Sequence, residues 1–217
     1  VREGPYVTNI SSQETPSIKE MVQTLLKKKE YWIISFSTFL RYGIFVAIQG
    51  LWIGPYLMEI GGLSAVEAGN VLLVLNIGLI AGSPLGGWLS DHILRSRKKV
   101  VMIGLSGMAF SLLCLATGWT VRNVPFTAGI LFLFGLSSGY GIVVYAHIKE
   151  LMPESMTGIA LTWVYLFTMF GGGVFLHLMG WVLDRLSEGG LAGPKAYSAA
   201  FSIGFIGLVF AVVLYFM

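Results

Sequence analysis

Arg41 is the residue whose type and position most clearly predict chemistry, because it lies inside an apolar run from Tyr31 to Met58. A guanidinium is a permanent cation whose planar donors match carboxylate and phosphate oxygens. Ten residues of helix place it about 15 Å inside the run, where a charge costs at least ~2.5–3.5 kcal/mol in a bilayer. Every acidic residue lies in a loop or at a helix end. The pattern therefore favours an anion-binding site.

The alternative to an anion site is a structural role for Arg41. The guanidinium would then pair with a carboxylate outside this sequence or donate to backbone carbonyls. Spacings of i, i+4, i+7/8 and i+11 put Phe45, Ile48, Gln49 and Trp52 on the same helical face. That stripe is polar and aromatic, as expected for the wall of a solute cavity. The candidate binding residues are Arg41, Gln49, Trp52, Asn76, Tyr140 and Tyr145.

Other reactive side chains are sparse. His147 and His177 are isolated and have no companions at metal-ligand spacing. Cys114 is the single cysteine, so the sequence forms no internal disulfide. We therefore expect no metal and no cofactor.

The elements that position these residues are six apolar runs, numbered spans 1 to 6. Hydrophobic residues make up 55% of the 217 residues and charged residues only 12%, and about 20 apolar residues suffice to cross a bilayer as a helix. The predicted spans are 31–58, 66–90, 100–119, 125–148, 157–183 and 197–217. This predicts an all-α, multi-pass membrane protein without a soluble module.

The charge distribution predicts the orientation. Most of the fourteen Lys and Arg residues fall on the side of the first polar segment, and only Arg122, Arg185 and Lys195 fall on the other. The positive-inside rule then predicts that both termini lie in the cytoplasm. The membrane is expected to be the inner or plasma membrane of the cell. Residues 1–30 are predicted to form a polar linker followed by a short basic amphipathic helix, Ile18–Glu30, at the membrane surface. The basic clusters set topology and do not indicate nucleic-acid binding.

Spans 2 and 5 suggest an internal repeat. An offset of 93 residues relates Gly87-Trp88 to Gly180-Trp181 and Gly78 to Gly171. The predicted organisation is two inverted repeats of three helices. Small residues spaced four apart should form helix-packing seams, namely Gly78, Gly82 and Gly86 in span 2 and Gly135 and Gly139 in span 4. Pro84 and the Gly54-Pro55 pair are predicted sites of bending.

The loop between spans 2 and 3 reads GGWLSDHILRSRKK, from Gly86 to Lys99. It resembles the signature loop of the major facilitator superfamily, roughly Gly-x-Leu-(Ala/Ser)-Asp-(Arg/Lys)-x-Gly-(Arg/Lys)-(Arg/Lys). The residues that match in kind are Gly87, Leu89, Ser90, Asp91, Arg95 and Arg97. The departures are His92 at the first basic position, Leu94 at the second glycine and one extra residue near Ser96.

Two further stretches extend the resemblance. The stretch from Glu150 to Ala160 resembles the entrance to the eleventh helix of the superfamily, and Leu40-Arg41-Tyr42-Gly43-Ile44 resembles a helix of its organophosphate/phosphate exchangers, where an arginine from each half binds phosphate. The Asp-Trp that usually follows is Phe45-Val46 here. The resemblance implies the C-terminal half of a twelve-helix transporter, with an N-terminal six-helix half, lipid and a small solute as its partners.

The signature loop is expected to act as a conformational latch formed by Gly87, Asp91, Arg95 and Arg97. Gly87 would let a neighbouring helix approach, and Asp91 can pair with Arg95 or Arg97. Such contacts can form in one conformation and break in another, which biases a two-state transporter. The alternative is that Asp91 only caps a helix and the basic residues only orient the chain.

Two other functions compete with transport. Gly135-Leu136-Ser137-Ser138-Gly139 fits Gly-x-Ser-x-Gly, and Ser137 with His177 resembles the dyad of rhomboid intramembrane proteases. The dyad histidine lies on the sixth helix of that family, whereas His177 lies on the fifth span. A six-helix half that works alone, as a homodimeric channel or scaffold, is a third possibility. The preferred function is non-enzymatic: secondary active transport of a small anionic solute by alternating access.

Overall fold

The computed structural model describes residues 18–118, 123–188 and 193–217, and these ranges contain helices and short connections without a β-strand. The predicted linker Val1–Ser17 and the loop residue Arg122 lie outside the described residues. Within the described part, six helices are long and apolar enough to cross a membrane. The all-α membrane fold class is confirmed.

The six spans are longer than their apolar runs at most ends, because a helix continues through polar residues as long as its backbone hydrogen bonds continue. Spans 3 and 6 are exceptions at their C-termini and end at Ala116 and Phe216. Spans 1 to 6 are Lys29–Ile60, Ala65–Ile93, Arg97–Ala116, Val124–Leu151, Glu154–Leu186 and Pro194–Phe216.

Local capping signals fix where the spans begin. Span 2 opens with a capping box, in which the Ser64 hydroxyl accepts from the Glu67 N–H at 3.3 Å and the Glu67 carboxylate accepts from the Ser64 N–H at 2.9 Å. The Asn123 side chain caps span 4 by accepting from the Phe126 N–H at 3.1 Å. Span 6 begins at Pro194, where the missing N–H costs no hydrogen bond.

Spans 1 and 4 leave regular α geometry along their length. Span 1 forms π turns at Ile48–Trp52 and Tyr56–Ile60, on either side of Pro55, which has no N–H to donate. Span 4 tightens into a 3-10 turn at Tyr140–Ile142. Span 2, by contrast, stays α-helical through Pro84. Its own irregular segment is a π turn at its C-terminal end, Leu89–Ile93.

The packing of the bundle repeats with the offset found in the sequence. The carbonyl of Phe132 in span 4 lies so close to Gly78 in span 2 that an added Cβ would overlap it, and the carbonyl of Phe39 in span 1 meets Gly171 in span 5 in the same way. An offset of 93 residues relates Gly78 to Gly171 and Phe39 to Phe132. The closely packed pairs of spans are 2 with 4, 5 with 1, and 3 with 6. Each three-helix unit therefore packs as a copy of the other.

The predicted glycine seam lies between spans 2 and 4. A Cβ at Gly139 would fall 2.7 Å from backbone atoms of Leu79, Gly82 and Ser83. A Cβ at Gly82 or Gly135 would lie even closer to the backbone of the opposite span. Backbones approach this closely only where no side chain intervenes, which lets van der Waals contact hold two helices together in an apolar solvent.

The N-terminal helix runs from Ile18 to Leu26 and so ends earlier than the predicted Glu30. Its apolar residues Met21 and Leu25 are buried against the bundle, and Lys28 is extended before span 1 begins. The Lys28 ammonium donates to the Leu151 carbonyl at 3.4 Å. The helix is thus attached to the end of the bundle by its apolar face.

The seam predicts a position-dependent effect of adding a methyl group to span 2. Gly78→Ala forces the methyl against the Phe132 backbone, and we expect a loss of about 1–3 kcal/mol, typical of overpacking. Gly69→Ala, in the same span, meets no atom within 4 Å and should be neutral or slightly stabilising, since alanine favours helix. Thermal unfolding of the two variants in detergent measures the difference; equal melting temperatures would contradict the seam.

Candidate functional site

A cavity of about 200 Å³ lies between spans 1, 2, 4 and 5. Its polar lining comes from four helices that are distant in sequence, so the site exists only in the folded bundle. The lining includes Arg41 and Tyr42 of span 1, Ser83 of span 2, Ser138 and Tyr145 of span 4 and Thr168 of span 5.

Arg41 is buried, with 7% of its surface exposed. One terminal nitrogen, Nη1, donates to the Ser138 carbonyl at 3.0 Å and lies 3.5 Å from the Ser138 hydroxyl. The Nε–H is buried without a hydrogen-bond partner, and within the described part of the chain no carboxylate pairs with the guanidinium. Span 4 therefore orients the cation while leaving its charge uncompensated.

Gly141 provides the space for the guanidinium. A Cβ at this position would overlap Arg41 Cζ and both terminal nitrogens, so no larger residue fits without displacing the arginine. Gly141 lies in the 3-10 turn Tyr140–Ile142, three residues after Ser138. A 3-10 turn within a long helix often occurs at a functional position. Here the turn presents the bare Cα of Gly141, and the carbonyl acceptor of Ser138 lies in the α-helical segment just before it.

Aromatic side chains form part of the remaining wall. Tyr145 and Tyr165 lie with ring centroids 5.9 Å apart, which joins spans 4 and 5 beside Arg41. Phe45 stacks on Phe134 at 5.8 Å and is held toward the cavity from span 1. The site thus combines one fixed cation with flat apolar surfaces, a combination suited to a small anion with an organic body.

Gln49 and Asn76 form a second polar pair. Gln49 Nε2 donates to Asn76 Oδ1 at 2.7 Å, and Asn76 Nδ2 donates to the Leu72 carbonyl at 2.8 Å. Both side chains are partly buried. The pair links spans 1 and 2 about two turns from Arg41, so these two predicted residues meet each other and lie beyond the lining of the Arg41 cavity.

Trp52 and Tyr140 are corrections to the predicted site. Trp52 is 6% exposed and packs edge-on against Tyr197 of span 6, with ring centroids 6.1 Å apart. The π turn Ile48–Trp52 holds one residue more than an α turn, so the side chains that follow it are rotated about the helix axis by roughly 100°. The Tyr140 ring fills the space between Gly86 and Gly104 of spans 2 and 3. Neither side chain lines the Arg41 cavity.

The sequence analysis did not identify several cavity residues, of which Ser138 is the most important. Ser83 and Thr168 also line the cavity, each with its hydroxyl donating to the carbonyl four residues earlier, at 3.1 and 2.8 Å. A signal for Ser83 was present, since it lies seven residues after Asn76 and shares its helical face. Serine and threonine that satisfy themselves in this way are common in apolar helices, so their type alone does not mark a site.

The signature loop forms a compact charged cluster around Arg97. Arg97 pairs with Asp91, donates to the Ser90 hydroxyl at 2.9 Å and pairs with Glu150 at the end of span 4, also at 2.9 Å. Arg95 makes no ion pair within the described residues and adopts a positive φ of 45°, so it turns the loop at the position beside the missing glycine. Arg97 is therefore the basic partner of Asp91.

Gly87 does not have the expected close neighbour. A Cβ at Gly87 would meet no atom within 4 Å among the described residues, whereas the adjacent Gly86 touches Tyr140 at 3.0 Å. Within this bundle, the helix approach predicted for Gly87 is made by Gly86.

The protease dyad does not form. Ser137 is buried with its hydroxyl against Gly107 of span 3. His177 is exposed on the outer surface of span 5, beside Phe170, Leu178 and Trp181. Ser137 therefore faces span 3 inside the bundle and His177 faces outward, and the rhomboid-like interpretation of Gly-x-Ser-x-Gly is wrong.

Comparison with known proteins is consistent with this geometry. Residues 31–217 match the sequence profile of the Major Facilitator Superfamily. The chain is 31% identical over 163 residues to a probable hexose phosphate transport protein of Chlamydia muridarum, covering 71% of this chain and 34% of that protein. It is 30% identical to a gentisate transporter of Corynebacterium glutamicum, covering 73% and 35%, and 27% identical to a glycerol-3-phosphate transporter of Bacillus subtilis, covering 78% and 38%.

Solved structures show the same fold. The inward-open xylose transporter XylE of E. coli superposes with a TM-score of 0.69 at 17% identity, over 90% of this chain and 48% of XylE. A bacterial homologue of the lysosomal transporter Spinster gives 0.69 at 15% identity, over 99% and 52%. The chain thus spans about a third of the curated relatives and about half of these structures.

The fit of Gly141 against the guanidinium predicts that one methyl group disturbs the site. Gly141→Ala should displace Arg41 from Ser138 and weaken anion binding by the complete protein about tenfold or more, the loss expected for a hydrogen bond to a charged group. Gly129→Ala is the matched control, because it lies in the same span and meets no atom within 4 Å. Titration of purified protein with anions measures both; unchanged affinity in Gly141→Ala would show that Arg41 is not held there.

Proposed function

Because this chain belongs to the Major Facilitator Superfamily, we propose that it is the C-terminal six-helix half of a secondary transporter that moves a small anionic solute by alternating access. The observation that carries the proposal is the buried guanidinium of Arg41, which lines a cavity between four spans and has no carboxylate partner in the described residues. A fixed cation in an apolar bundle attracts an anion because the surroundings screen it poorly.

The proposed substrate class is a small organic anion, with a phosphate or carboxylate bound by Arg41. The remaining guanidinium donors can bind two oxygens of either group in parallel, and the tyrosines around it suit a sugar or aromatic body. Proteins similar to this chain are named for hexose phosphate, glycerol-3-phosphate, gentisate and gallate, all of which carry one of these two groups. Tyr145, which lines the cavity, is proposed as a secondary contact. Gln49 and Asn76 are proposed as contacts only for the part of the solute that extends beyond the Arg41 cavity.

An N-terminal six-helix half is the proposed partner, and the face formed by spans 2 and 5 supports this. Tyr165 and Met169, which line the Arg41 cavity, are 54% and 44% exposed. Apolar grooves of about 550 and 700 Å³ run along the same span 5. Packing of a second bundle on this face would close the cavity and place the substrate between the two halves, near the membrane midplane.

The Arg97 cluster is proposed as the latch of the conformational cycle, at the cytoplasmic side indicated by the basic loops. It joins the loop after span 2 to the end of span 4, so a relative movement of these helices must break the ion pair of Arg97 with Asp91 or Glu150. Arg97 is 23% exposed and the carboxylates about half exposed. Each contact is therefore weak enough to break and re-form.

Substitution of Arg41 tests the anion site. Arg41→Gln in the complete protein should weaken anion binding by about 2–5 kcal/mol, or ~30-fold and more, as expected when one member of a buried charge pair is removed. Arg41→Lys keeps the charge but lacks the planar fork and should be intermediate. Binding of hexose phosphates, aromatic acids and inorganic phosphate is measured by calorimetry, with gel filtration confirming the fold. Wild-type affinity in Arg41→Gln would contradict the site.

Substitution of Asp91 tests the latch. Asp91→Asn should slow transport into vesicles several-fold while leaving substrate affinity and membrane insertion unchanged, because the cluster lies away from the Arg41 cavity. Glu154→Gln is the control, since it removes a carboxylate at the start of span 5 outside the cluster. Transport at the wild-type rate in Asp91→Asn would exclude the latch role.

A further inference from the structure

A second polar cavity, here called the basal cavity, lies at one end of the bundle and has a volume of about 260 Å³. It is formed where spans 1 and 3 begin and spans 4 and 6 end, and it shares no lining residue with the Arg41 cavity. Its polar side chains are Lys29, Glu30, Lys98, His147 and Tyr215. Its apolar wall is formed mainly by Ile33, Ile34 and Leu151.

Two ammonium groups give the basal cavity a positive charge. Lys98 Nζ donates to the Phe216 carbonyl at 2.8 Å and lies 5.9 Å from the Phe216 ring centroid. This single bond fixes the ammonium and leaves two of its three protons for other acceptors. Lys29 lines the cavity and is exposed, and neither lysine forms an ion pair within the described residues. Glu30 offsets only one of the two charges.

His147 lines the cavity with its ring oriented by Tyr215. Its Nδ1 lies 2.7 Å from the hydroxyl of Tyr215, and that tyrosine is 3% exposed. When the hydroxyl donates to Nδ1, the neutral imidazole carries its proton on Nε2. The ring then offers an N–H to a ligand without requiring a charge. Two ammonium groups and one imidazole N–H form a set of donors that suits a tetrahedral oxyanion.

The position of the cavity indicates how a phosphate could reach it. The first residues of spans 1 and 3 and the last residues of spans 4 and 6 form it, which places it at the boundary between hydrocarbon and headgroups. Basic pockets between membrane helices at this level bind phospholipid headgroups. The apolar residues of the wall would contact the glycerol and upper acyl carbons.

We propose that the basal cavity binds a phosphate ester, with Lys29 and Lys98 as its charged ligands and His147 as an N–H donor. The ligand bridges four of the six spans and so stabilises the bundle at this end. A membrane phospholipid and a soluble phosphate share this chemistry, and the experiment separates them. The proposal does not depend on Arg41.

The test uses the complete protein, delipidated in a neutral detergent, and follows its melting temperature during titration. One arm adds phosphatidylglycerol, a second adds diacylglycerol with the same chains and no phosphate, and a third adds inorganic phosphate at constant ionic strength. We expect a saturable rise in melting temperature with phosphatidylglycerol and none with diacylglycerol. The double variant Lys29→Gln/Lys98→Gln should weaken the apparent Kd about tenfold or more, since each ligand bond involves a charged group.

Two control variants keep the result interpretable. Lys19→Gln/Lys27→Gln removes the same charge from exposed positions outside the cavity and should retain wild-type affinity. Lys29→Arg/Lys98→Arg keeps both cations and should restore most of the affinity if the loss in the glutamine variant concerns charge and not folding. Equal weakening in the Lys19/Lys27 variant would overturn the proposal, because it would indicate general surface electrostatics.

The remaining outcomes identify the ligand or reject the site. A response to inorganic phosphate alone, lost in the Lys29/Lys98 variant, supports the site and assigns it to a soluble phosphate. No response of the wild type in any arm overturns the proposal. Arg41→Gln should keep the phosphatidylglycerol response, so a failure of the transport substrate site and a failure of the basal cavity are distinguishable.

Discussion

The constraint on which the rest of this bundle depends is the burial of one guanidinium in an apolar environment. A guanidinium at that depth is tolerated only with oriented acceptors around it. Span 4 supplies one acceptor, the Ser138 carbonyl, and leaves space for the guanidinium at Gly141. The compensation is incomplete, since Nε is buried without a partner. A partly satisfied cation keeps electrostatic attraction available for a ligand, whereas a full ion pair with a protein carboxylate would use it within the protein.

Close helix packing makes that arrangement possible. In the contacts of Gly78 with Phe132 and of Gly171 with Phe39, carbonyls approach glycines that have no side chain to hold the helices apart. Because the two contacts are equivalent, the cavity between spans 1, 2, 4 and 5 lies where the two three-helix repeats meet. Span 1 and span 4 each contain irregular turns, so the arginine and its acceptor both come from helices that depart from α geometry.

The sequence analysis predicted the architecture well and the side-chain directions less well. Six apolar runs, the offset of 93 residues and the glycine spacing indicated the spans and the seam between spans 2 and 4. Helical periodicity placed Trp52 on the face of Arg41, but a π turn rotates it toward Tyr197. Tyr140 and Tyr145 are five residues apart, roughly 140° around a helix, so both could not face one cavity. Only the packed bundle shows that Tyr145 lines it.

The sequence by itself determined that the chain crosses a membrane six times, that Arg41 lies deep within it and that the loop of Asp91 and Arg97 is charged, because hydropathy and charge are properties of local composition. Tertiary structure decided which faces meet. In a membrane protein the lipid-facing and buried sides of a helix are both apolar, so periodicity carries little information about direction. Arg41 donates to Ser138, which lies 97 positions later in the sequence, and Arg97 has a second partner in Glu150, 53 positions later. Only the packing of the helices brings these residues together.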